Sequence, residues 1–127
     1  ARDAGRNSHS PYSGFKVGAA VLGGSGRVYS GCNVENASYP VSLCAERGAL
    51  AAAVADGEKT VDAVLIVSDS DEPCPPCGMC RQALAEFGKD MEVILVGSGG
   101  KESRFALSDL LPESFDAGFL SEKEGRS

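Results

Sequence analysis

Three thiols and one carboxylate in two short stretches are the residues with the clearest chemistry. They are Cys44-Ala45-Glu46-Arg47 and Pro76-Cys77-Gly78-Met79-Cys80-Arg81-Gln82. Cys77 and Cys80 stand at i and i+3, a spacing that puts both sulfurs on one face of a helix and lets them grip one ion. Cys44 would complete the set from the start of another helix. Three protein ligands on Zn²⁺ leave the fourth position to water, which is the catalytic rather than the structural arrangement. Glu46 follows Cys44 by two residues in the same turn. It is better placed to take a proton from water on the metal than to be a fourth ligand.

Three thiolates on Zn²⁺ sum to an excess negative charge that weakens the ion as a Lewis acid. Arg47 and Arg81 each directly follow a ligand segment, and a guanidinium bonded to sulfur offsets that charge. Helix N-termini aimed at the metal are expected to lower the pKa of the thiols. Cys74 competes as a ligand, since Cys74-Pro75-Pro76-Cys77 is also a CxxC, but two prolines make that segment extended and Cys74 reads as a loop thiol. His9, the one histidine, lies in a polar turn and is a weaker candidate. Cys32, among apolar residues in a strand pattern, reads as core.

The elements that must position these groups follow from the apolar pattern. Residues 1–9 are polar and read as the remainder of a helix begun upstream. Ser10-Pro11-Tyr12-Ser13-Gly14 is a turn cluster. Phe15–Leu22 and Arg27–Val34 read as an antiparallel hairpin closed by Gly23-Gly24-Ser25-Gly26. Cys44–Ala55 is an Ala/Leu-rich helix stopped by Gly57. Asp62–Ser68 reads as a buried strand parallel to an earlier one. Cys77–Phe87 is a second helix stopped by Gly88. Glu92–Val96 and Ser103–Ala106 are further strands, and Leu107–Phe115 a last short helix or turn. The charged tail Ser121–Ser127 is expected to fray. The whole reads as one α/β domain over residues 1–127, a mixed sheet covered by helices.

Composition narrows the function classes. With 127 residues and 43% hydrophobic content the chain can bury one core. A net charge of −6 disfavours a polynucleotide partner, because phosphate affinity rests on Lys and Arg. No apolar run reaches bilayer length. Five cysteines, an odd number, argue against a disulfide framework and for a reducing, cytoplasmic setting.

The motifs extend over most of the chain. "PYSGFKVGAAV", "GCNVENASY", "CAER", "PCGMCRQ" and "LLPESF" occur in that order. In this the sequence resembles the small zinc-dependent cytidine deaminases of the homotetrameric type, in the cytidine/deoxycytidylate deaminase superfamily. The resemblance implies a three-layer αβα fold with a five-stranded mixed sheet and helices on both faces. It implies Cys44, Cys77 and Cys80 as ligands of one Zn²⁺ per chain, and Glu46 as the proton shuttle. Asn33 and Glu35 would bind the ribose, Phe15 would flank the pyrimidine, and Ala45 and Ser42 would offer backbone groups near the base. Phe115 would reach a neighbouring subunit's site, and Arg47 would compensate charge.

The implied reaction is hydrolysis of cytidine and deoxycytidine to the uridines and ammonia in pyrimidine salvage. Zinc hydroxide would attack C4 while Glu46 moves protons. The implied partners are a nucleoside and three further copies of the chain, with no nucleic acid polymer and no membrane. Residues 40–43, "PVSL", fall where the family varies and bear on pocket shape. A deaminase of the blasticidin type, a polynucleotide editor and a non-catalytic zinc module are the competing readings.

Overall fold

The computed structural model describes residues 1–70 and 78–110. Helix α1 (Arg2–Arg6) precedes the hairpin β1 (Val17–Gly23) and β2 (Val28–Cys32). A 3₁₀ turn (Tyr39–Val41) leads into α2 (Ala45–Ala55), then β3 (Val61–Ser68), α3 (Gly78–Ala85), β4 (Glu92–Val96), β5 (Glu102–Ala106) and α4 (Leu107–Leu110). Each expected element has a counterpart among the described residues; α1 ends at Arg6 rather than continuing to residue 9, and the other ends that fall among the described residues differ by at most two residues. The predicted positions of Cys77 and of Phe115, and the tail Ser121–Ser127, lie outside the described residues.

The five strands form one mixed sheet in the order β2-β1-β3-β4-β5. β1 is antiparallel to both β2 and β3, β3 is parallel to β4, and β5 is antiparallel to β4. The expectation that β3 runs parallel to an earlier strand holds for β2 in direction but not in pairing. The crossover through α2 does turn β3 into the same direction as β2, as such connections do. But β1 lies between them, so the earlier strand that β3 pairs with is antiparallel, and its parallel partner is the later β4.

Register assigns the faces. Ala19 pairs with Gly31 and Ile66, while Gly18 pairs with Cys32 and Val67, and neighbouring residues on a strand point to opposite sides. A side chain at Gly31 would lie 2.5 Å from the backbone nitrogen of Ala49 in α2. One at Gly18 would collide with the carbonyl oxygen of Ala1 at the start of α1. The two helices therefore sit on opposite faces, and glycine at each contact lets helix backbone approach sheet backbone. The α2 face carries the core: Ala19, Val21, Val64, Ile66, Val93 and Leu95 are buried there. Cys32, expected in the core, is half-buried at the end of β2 on the α1 face.

Candidate active site

Cys44 is the N-cap of α2, in extended backbone at φ −75° and ψ 151°. Its carbonyl accepts from Gly48 N at 3.0 Å, so the chain turns into helix directly after the thiol. The first turn then buries Ala45 completely and Glu46 to 5% exposure. Cys80, fully buried, lies in the first turn of α3, which packs against α2. The Cys80 side chain hydrogen-bonds to both Cys44 and Glu46. Two helix N-termini thus bring together Cys44, Glu46 and Cys80. Cys77, Cys74 and Phe115 lie outside the described residues.

Burial is the main force raising the Glu46 pKa above the ordinary carboxylate range; its hydrogen bond to Cys80 pulls the other way. The Cys80 thiol is also pushed up, first by its bond to Cys44 and then by burial. Burial and the neighbouring thiol and carboxyl act against the lowering expected from the helix N-termini. A nearby cation's charge favours the thiolate. Arg47 supplies part of that charge, donating from Nη2 to Cys44 Sγ at 3.9 Å and to the Ser42 carbonyl at 3.2 Å. Its Nε is buried without a hydrogen-bond partner among the described residues. Arg81, expected near the sulfurs, donates to the Leu110 carbonyl at 3.0 Å and joins α3 to α4.

Among the described residues no three His, Cys, Asp or Glu side chains form a metal-holding group. The donor chemistry nevertheless fits zinc. The Cys80 side chain hydrogen-bonds to Cys44, an arginine donates to the Cys44 sulfur, and sulfur donors of this kind suit zinc.

Beside this cluster opens a cleft of about 560 Å³, whose walls include Asn33, Glu35, Tyr39, Cys44, Arg47 and Met79. Segment 33–35 is held on two sides. Val34 and Leu43 exchange two 2.8 Å backbone bonds, which ties it to the approach to Cys44. On the other side His9 N donates to the Asn33 carbonyl at 3.1 Å, and Glu35 N to the His9 carbonyl at 2.7 Å. His9 therefore serves through its backbone. The Asn33 amide gives one N–H to the Phe15 carbonyl at 2.8 Å, and its oxygen accepts from Val17 N at 3.0 Å. Ser8 Oγ also donates to that oxygen. Among the described residues the other amide N–H of Asn33 makes no hydrogen bond, and Asn33 lines the cleft. Phe15 is half-buried just before β1, its backbone bonded to Asn33.

Sequence reasoning singled out Asn33 and Glu35 but passed over Ser8, Tyr12 and Ser13, which hold them. The signal was only a polar turn cluster. Tyr39 (86% exposed) and Met79 (64% exposed) on the rim are apolar groups that a local pattern does not distinguish from chance exposure.

Comparison with known proteins agrees with this arrangement. The family model described as the cytidine and deoxycytidylate deaminase zinc-binding region matches residues 1–96. The chain is 41% identical to the cytidine deaminase of Sporosarcina psychrophila, over 94% of this chain and 89% of that one. It is 46% identical to the cytidine deaminase of Halalkalibacterium halodurans, over 84% and 82%. The crystal structure of cytidine deaminase from Burkholderia pseudomallei superposes with a TM-score of 0.86 at 44% identity, covering 91% of this chain and 93% of that one. With the five-stranded sheet flanked by helices and the Cys44–Glu46–Cys80 cluster, these likenesses establish that the chain is an enzyme of the cytidine and deoxycytidylate deaminase family.

Proposed function

We propose that this enzyme hydrolyses cytidine and deoxycytidine to uridine and deoxyuridine with release of ammonia, in cytoplasmic pyrimidine salvage. The observation that carries the reading is Glu46, a buried carboxyl with a raised pKa set between Cys44 and Cys80. Cys44, Cys77 and Cys80 would hold one zinc ion per chain. Zinc, when bound, supplies the Lewis acidity that makes water nucleophilic at neutral pH. Glu46 takes the proton of the attacking water, passes it to ring N3, and then carries a proton to the departing amine. A raised pKa suits a group that must take up and release protons. Arg47 offsets the negative charge of the thiolates.

Asn33 and Glu35 receive the sugar hydroxyls, through the remaining amide N–H and the carboxylate. Phe15 flanks the pyrimidine, and the backbone at Ser42 and Ala45 meets the base. In this reading the protein is a homotetramer, and Phe115 of a neighbouring subunit completes each site.

The test pairs a zinc assay with the fall in ultraviolet absorbance on adding cytidine or deoxycytidine, for wild type and Glu46→Gln. One zinc per chain in both, with turnover at least about 100-fold lower in the variant, is the expected outcome. Equal turnover removes Glu46 from the mechanism, and absence of zinc overturns the ligand set. Zinc without cytidine turnover moves the activity to another aminopyrimidine nucleoside.

A further inference from the structure

The Glu35 carboxylate is clamped by the turn before β1. Its Oε1 accepts from Tyr12 N at 3.0 Å and Ser13 N at 3.1 Å, and its Oε2 accepts from Ser13 Oγ at 2.5 Å. These donors, Ser13 first among them, hold its pKa below the ordinary range, so it is a carboxylate at neutral pH. Ser13 is exposed, yet its hydroxyl has a defined direction. Its oxygen accepts from Phe15 N at 3.0 Å, which leaves its one proton for Glu35. A single serine therefore joins the backbone of Phe15 to the side chain of Glu35, and the cleft wall includes both Ser13 and Glu35.

We propose that Ser13 is a positioning residue for substrate binding: it fixes the Glu35 carboxylate so that Oε2 accepts from one sugar hydroxyl. The inference rests on the reading of Glu35 as the sugar acceptor. A carboxylate has about four acceptor positions, and three are occupied by this turn. The remaining one takes a single hydroxyl rather than chelating a diol. Without Ser13 Oγ, Oε1 keeps its two backbone donors, but Oε2 loses its only described partner and the carboxylate rotates about the Oε1 contacts. Binding then includes the entropy of fixing it again.

The experiment is steady-state kinetics on zinc-loaded enzyme with cytidine, for wild type, Ser13→Ala, Ser13→Thr, Glu35→Gln and the double variant Ser13→Ala/Glu35→Gln. Ser13→Ala is expected to raise KM about tenfold with kcat within about twofold, the size of one charge-assisted hydrogen bond. Ser13→Thr restores KM because it keeps the hydroxyl. In the Glu35→Gln background Ser13→Ala adds little, since the bond it removes no longer holds a charge. If Glu35→Gln raises KM and Ser13→Ala does not, the positioning role is overturned and the sugar-acceptor reading stands. If neither variant changes KM, the sugar-acceptor reading itself fails. A Ser13→Ala loss in kcat and melting temperature that Ser13→Thr does not recover assigns Ser13 to structure alone and overturns the proposal.

Discussion

Arg47 illustrates how much one side chain decides in this site. Its Nη2 meets both the Cys44 sulfur and the carbonyl of Ser42, so it sets charge and loop position together. Arg47→Ala is expected to lower zinc retention under chelator challenge and turnover by about 10- to 100-fold, the usual effect of removing a partner of a metal ligand. Arg47→Lys is expected to recover only part of this, because a point charge cannot address two acceptors with a planar fork. Metal content after dialysis and kcat on the same samples check it. The CxE and PCxxC spacings read as a candidate metal site because ligand chemistry is local. The roles of Ser8 and Ser13 were not legible, because a serine's partner 22 to 25 residues away depends on the turn of the whole N-terminal segment.

At the scale of elements, helices place the chemistry and glycines set how closely they dock. α2 lies against β2 at Gly31, where a side chain would meet Ala49 N at 2.5 Å and the Ala45 carbonyl at 2.8 Å. Gly31→Val is therefore expected to force α2 away from the sheet and cost about 1–3 kcal/mol. It should also lower activity, since Cys44 and Glu46 ride on that helix. Ser30→Val, one residue earlier and on the other face, is expected to change melting temperature little; thermal unfolding of both variants is the check. The hairpin and both site helices were readable from periodicity, Ala/Leu content and the stops at Gly57 and Gly88. The pairing of β3 was not, since a crossover helix fixes strand direction but not which strand fills the gap.

Across the molecule, carboxylates both in and beyond the cleft shape the response to pH. Tyr29 on β2 donates to Asp56 at 2.6 Å and lies 3.0 Å from Glu58, beyond the end of α2. Hydrogen bonds from Tyr29 and Arg27 hold Asp56 low, while Ser25 does so for Glu58. Glu35 is lowered in the same way by Ser13. Each lowered group stabilises the fold above its unfolded pKa, and that contribution is lost as pH falls below about 4 and on through the folded values. Tyr29, pushed up to about 12 mainly by Asp56, acts at the other end: its contribution is intact below pH ~10 and lost between there and about 12. Glu46 opposes the acid trend, because a raised carboxyl pKa favours the fold at low pH. The expected melting curve is a plateau from about pH 5 to 9 with losses on both sides. Tyr29→Phe should remove the alkaline loss and soften the acid one, as a pH series of melting temperatures would show.

The sequence by itself determined the thiol and carboxylate residues, their spacing, and the order of strands and helices along the chain. These are properties of neighbours within one or two helical turns, and local geometry suffices to read them. Only the tertiary structure decided that β1 separates β2 from β3. Only it brought Cys44 and Glu46 of one helix against Cys80 of another, and tied Glu35 and Asn33 to the turn before β1. Those contacts join residues far apart in sequence, and their energies exist only once the sheet closes the intervening loops and removes the groups from water.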